Sequence, residues 1–127
     1  MTSKMKPIAL AVVFMMALLA GCATTKLTSE QAAKADYGEF PTEYDKVIKE
    51  HFSRSLFDPY SAHYRIGFPT QGFSTKAPIV GGGPDQYGYL VNVAINAKNK
   101  FGGYVGEKQF RVLIRDGRVI REWQLTY

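Results

Sequence analysis

The chain has 127 residues, a formal charge of +5 and a single cysteine, which excludes an internal disulfide framework. Its length suits one domain with a small core. Two of the basic residues, Lys4 and Lys6, fall in the N-terminal segment read below as a cleaved signal, so the remaining excess gives no ground for a nucleic-acid partner.

The chain opens MTSKMKPIALAVVFMMALLAGC. Lys4 and Lys6 precede an uncharged run, Ile8 to Ala20, that is shorter than the roughly 20 apolar residues of a spanning helix. A basic start, a short apolar core and small residues at the end read as a secretory signal over residues 1–21. Leu18-Leu19-Ala20-Gly21-Cys22 resembles the lipoprotein box of bacteria. The resemblance implies cleavage before Cys22, a diacylglyceryl group on its sulfur and an acylated N-terminus. Each buried methylene then contributes about 0.8 kcal/mol, and more than one chain anchors stably. An ordinary signal peptide with an incidental cysteine, or a transmembrane anchor, are the alternatives. Cys22 as the sole cysteine favours lipidation, because a lone free thiol is unusual in an exported chain. In enterobacterial sorting an Asp after the cysteine retains the protein in the inner membrane. Ala23 therefore implies the outer membrane, with the domain facing the periplasm.

Residues 22–38 are small and polar and read as a flexible, lipid-anchored tether, leaving 39–127 as a small α+β domain. Phe40-Pro41 opens a helix in which Tyr44, Val47, Ile48, His51, Phe52 and Leu56 form one apolar stripe. Asp58-Pro59 ends it. Ala62 to Phe68 alternates as a strand, and the proline- and glycine-rich segment Pro69 to Gln86 reads as a long irregular loop. Tyr87 to Ala97 alternates again. Lys108 to Arg115 and Arg118 to Tyr127 flank Asp116-Gly117, a strong signal for a two-residue hairpin. That register sets Ile114 against Val119, Phe110 against Trp123 and Arg111 against Glu122. The expected fold is one N-terminal helix packed on a three- to four-stranded antiparallel sheet ending in an Asp-Gly hairpin.

No catalytic, metal or cofactor motif emerges. His51 lies on or beside the apolar stripe and reads as a packed histidine; His63 precedes a strand without partner spacing. A cell-wall hydrolase would have to assemble from one of them and a distant carboxylate. Gly81-Gly82-Gly83-Pro84 lacks the Lys-Ser/Thr and the helix of a phosphate loop.

The stretch NAKNKFGGYVG, Asn96 to Gly106, has asparagines and glycines suited to a connecting loop. It also carries Phe101 and Tyr104, which either fold back over the sheet edge or contact a partner, flanked by Lys98 and Lys100. With DPYSAHYR earlier in the chain, it resembles a group of small, poorly characterised proteobacterial lipoproteins over most of residues 37–127. That resemblance implies no activity. The reading is a non-enzymatic binding or assembly module of the envelope. Phe101, Tyr104, Lys98 and Lys100 are the candidate contact residues, Cys22 is the membrane link, and an envelope protein or peptidoglycan is the partner. Glycan binding through Tyr87, Tyr89 and Tyr104 is the alternative within that class.

Overall fold

The computed structural model describes residues 27–126. Residues 1–21, read above as a signal, and Cys22 and Ala23 lie outside the described residues. No helix among the described residues is long and apolar enough to cross a membrane.

The longest strand, β3 (Pro84–Asn96), is the axis of one antiparallel sheet. Along one side it pairs with β4 (Lys108–Arg115), which pairs in turn with β5 (Arg118–Leu125). Along the other side lie two strands end to end: β1 (His63–Ile66) beside the second half of β3, and β2 (Thr70–Thr75) beside the first. The register runs Ile66↔Val93, then Thr70↔Leu90, so the chain takes one residue too many between them. Pro69, with no N–H to give the ladder, sits at this break.

Two helices precede the strands: α1 (Ser29–Lys34) and α2 (Tyr44–Ser53). Helix α2 lies on one face of the sheet. Ile48 and Phe52, four positions apart and so on one stripe, meet Val91, Val93, Ile95, Val112 and Ile114. Each such burial removes a side chain from water for about 1.5–3 kcal/mol. The same face continues beyond the helix as an aromatic tier. Tyr37 stands edge-on to Tyr87 with centroids 5.6 Å apart, and Phe40 edge-on to Tyr89 at 5.4 Å. Phe68, from the break between β1 and β2, closes on Phe40 at 5.7 Å.

The expected count of one helix and three to four strands is corrected to two helices and five strands. The extra helix, α1, lies in the segment read as tether. It buries no side chain, so it leaves no apolar stripe in the sequence. Its one local mark is the capping box in which Thr28 and Gln31 exchange side-chain and backbone hydrogen bonds. The extra strand, β2, lies in the segment read as an irregular loop. Gly72 resembles a breaker there, but it serves packing: the Leu90 side chain fills the space a Cβ would take. Gly88, its partner in register, is closed off in the same way by the carbonyl oxygen of Ile114.

Register is corrected as well. Asp116 (φ 50°) and Gly117 (φ 71°) are both left-handed and join β4 to β5 in a two-residue turn. Ile114 faces Val119, after which a bulge takes up Ile120. Phe110 therefore faces Gln124 rather than Trp123, and Arg111 faces Trp123 rather than Glu122. Glu122 moves to the helix side of the sheet, and Trp123 joins Arg111 on the opposite side.

Arg115 holds the N-terminal segment to this hairpin. Its guanidinium donates to the Asp36 carbonyl at 2.6 Å, the Asp36 carboxylate at 2.9 Å and the Tyr87 carbonyl at 3.1 Å. The Gly38 N–H and then Arg115 hold the Asp36 carboxyl below its ordinary value.

Candidate partner-binding tip

The two sequence stretches that stand apart, DPYSAHYR and NAKNKFGGYVG, meet at the end of β3 away from the Asp116-Gly117 turn. Asp58 caps a single 3-10 turn, Pro59–Ser61, by accepting from the Ser61 N–H. The Ser61 hydroxyl donates to the Asp58 carbonyl at 2.8 Å and accepts from the Lys98 N–H at 2.9 Å. Tyr104 donates its hydroxyl to the Ser61 carbonyl at 2.9 Å, with the His63 Nε2 3.1 Å from the Tyr104 hydroxyl oxygen.

The loop is organised from within too. The Asn99 carboxamide oxygen accepts from the N–H groups of Phe101 (2.9 Å) and Gly103 (3.3 Å), and its backbone N–H donates to Gly103. Gly102 and Gly106 supply the positive φ angles, 78° and 96°, that the turns need. Beyond them Arg65 clamps Glu107 through two parallel contacts, Nε to Oε2 (2.9 Å) and Nη2 to Oε1. That clamp holds the Glu107 carboxyl below its ordinary value.

On this frame the two loop aromatics part company. Tyr104 folds back and is 45% exposed; Phe101 projects and is 85% exposed. Lys98 lies with Nζ 5.7 Å from the Tyr104 centroid, and Lys100 with Nζ 5.2 Å from that of Phe101. Phe57, Tyr60 and Val105 are also exposed large side chains of these segments. Phe57 and Val105 border a cleft of about 290 Å³ floored by Phe52, Ile95 and Phe110. The sequence reading missed these three. Their only signal is apolar character beside Asp58-Pro59 and after the glycines, where no stripe continues. Such a tip offers apolar area and two ammonium groups, the means to hold a partly apolar, acidic surface.

The other candidates lie elsewhere. His51 stays on the helix with its ring edge-on to Phe52, and its Nε2 meets Glu122 Oε2 at 2.6 Å. His63 is engaged by Tyr104. Tyr87 and Tyr89 belong to the aromatic tier at the opposite end of the sheet from Tyr104, so these three rings do not form one glycan platform. Among the described residues no group of three His, Cys, Asp or Glu side chains is placed to hold a metal ion.

The N-terminal segment joins the domain beside Arg115 and Tyr87, and the tip follows Asn96. At about 3.3 Å per strand residue, β3 alone separates these poles by roughly 25–30 Å. No family model, no curated protein and no solved structure matches this chain.

Proposed function

We propose that the chain is an outer-membrane lipoprotein, anchored through Cys22, whose periplasmic domain is a non-enzymatic binding or assembly module. It would stand with the small proteobacterial lipoproteins that its DPYSAHYR and NAKNKFGGYVG stretches resemble. The observation that carries the binding role is Phe101: a ring 85% exposed on a loop stapled by Asn99, Ser61 and Tyr104. A contact side chain on a loop already ordered loses little entropy on binding. It also sits at the pole opposite the point where Asp36 is held to the hairpin by Arg115. Two measurements test the two halves. Labelling with a palmitate analogue is expected for the wild type and absent for Cys22→Ala; equal labelling defeats the anchor. A photo-crosslinker at position 101 in native membranes is expected to trap a discrete envelope protein, and a featureless background defeats the tip.

A cell-wall hydrolase is the second reading, favoured by one contact. The 2.6 Å contact of Glu122 with His51 Nε2 pairs a carboxylate with a histidine and leaves Nδ1 as the nitrogen that would act as base, the reverse of the triad arrangement. A His51→Ala variant that folds normally and leaves the tip intact yet loses the wild-type phenotype completely would put this reading first.

A further inference from the structure

The sheet face opposite α2 carries a second assembly of polar and aromatic side chains. The register puts Asn92, Arg111 and Trp123 directly beside one another on β3, β4 and β5. All three are exposed, Trp123 at 36%. The row crosses three strands and so spans about 10 Å. We propose that this row binds a glycan strand bearing acidic peptides, with Trp123 stacking on a sugar ring and Arg111 receiving a carboxylate of the attached peptide.

Charge argues for the acidic ligand. Two other arginines of this face are already neutralised: Arg65 by Glu107, and Arg121 by Asp85 at 2.9 Å. Arg111 instead donates through Nε to the neutral carboxamide oxygen of Asn92 at 2.9 Å, and among the described residues no carboxylate forms an ion pair with it. The hydrogen bond orients the guanidinium and leaves both Nη groups for a bidentate carboxylate. Satisfying its oxygen also leaves the Asn92 amide N–H pair to donate to hydroxyls.

Shape argues for the glycan. An indole beside fixed donors matches a pyranose, which has apolar C–H faces and a hydroxyl rim. Trp123 also walls a hollow of about 460 Å³ under the β2–β3 turn, lined by Ser74, Lys76, Val80 and Arg121, into which a chain longer than one sugar can continue. The choice of the bacterial cell wall as the source of the glycan rests on the envelope reading above; the chemistry of the face does not.

The test is co-sedimentation of the full chain, purified in detergent, with isolated peptidoglycan sacculi. The wild type is expected to pellet. Arg111→Ala should weaken sedimentation about tenfold or more through loss of a charge-assisted contact, and Trp123→Ala by a similar factor through loss of a buried aromatic contact. Arg111→Lys should recover only part, because an ammonium lacks the planar fork, and its intact charge guards against misfolding as the explanation. Phe101→Ala should pellet as wild type, which separates this face from the tip. Amidating the carboxylates of the sacculi should mimic Arg111→Ala. Failure of the wild type to pellet, equal pelleting of the Arg111→Ala, Trp123→Ala double variant, or capture by free stem peptides as strong as capture by intact sacculi would each overturn the proposal. Because sacculi are added in vitro, the result is independent of whether Cys22 carries lipid.

Discussion

Tyr104 donates its phenolic hydrogen to the carbonyl oxygen of Ser61, 43 positions earlier in the chain, at 2.9 Å. This one bond sews the β3–β4 loop to the turn that follows α2, and it makes Tyr104 a structural residue where its neighbour Phe101 is not. The two substitutions should therefore separate. Tyr104→Phe removes a hydroxyl that serves both Ser61 and His63, and should lower stability by about 0.5–1.5 kcal/mol. Phe101→Ala removes an exposed ring and should stay within about 0.5 kcal/mol of wild type. Thermal melting of the two variants checks this, and a large loss for Phe101→Ala would place its ring in the core.

Phe52 is the largest side chain enclosed between α2 and the sheet. Phe52→Ala should cost about 3–5 kcal/mol, which is a large part of a small domain's stability. Urea unfolding at neutral pH measures it. A change under about 1 kcal/mol would mean that the helix contributes little to the fold.

The facing glycines Gly72 and Gly88 should respond differently to alanine. At Gly88 the new methyl meets the Ile114 carbonyl, a backbone atom that cannot turn aside. The cost should reach the upper end of the about 1–3 kcal/mol typical of overpacking, or exceed it. At Gly72 the obstacle is the Leu90 side chain, so Leu90→Ala in the same chain should relieve part of the Gly72→Ala penalty. A double-mutant cycle by denaturant melts reads the coupling, and strict additivity would contradict the contact.

How much of this was legible beforehand depends on whether a feature announces itself locally. The α2 stripe and the alternation in β3 follow from periodic burial, and periodicity is visible in sequence. Strand β2 is hidden because Gly72 and the prolines around it look like punctuation; only Leu90, whose side chain takes the space of a Cβ at Gly72, explains the missing side chain. Helix α1 is hidden because it buries nothing. The bulge at Ile120 reorders every facing pair beyond Ile114, since one added residue swaps the faces of all that follow. That swap is why the Arg111–Trp123 row was not foreseen. At the tip, Phe101, Tyr104, Lys98 and Lys100 were legible as aromatic and basic residues misplaced in a glycine-rich loop. Which ring turns inward was not, because Ser61 decides it from afar.

Acid should loosen two attachments. Asp36 and Glu107 both have folded-state carboxyls below their ordinary values, held by Gly38 and Arg115 in one case and by Arg65 in the other. A depressed value means that the unfolded chain takes up protons first. The stabilisation is complete above the unfolded-state values and is lost as pH falls through the folded-state ones. Melting temperature should thus fall more steeply on the acid side for wild type than for an Asp36→Asn, Glu107→Gln variant, and the two curves should converge at the lowest pH. Parallel curves would show that neither pair contributes.

Both margins of the sheet are irregular: β1 and β2 are separated at Pro69, and β5 is offset by Ile120. If the chain carries the proposed acyl anchor, it shares a plane with its copies, where lateral crowding multiplies encounters between strand margins. Uninterrupted margins would let neighbours zip into ribbons through their unpaired amides. The kinked margins of this sheet, with Arg118, Arg121 and Glu122 along the outer one, give such polymerisation no straight template, so dense packing on a membrane remains compatible with separate, folded molecules.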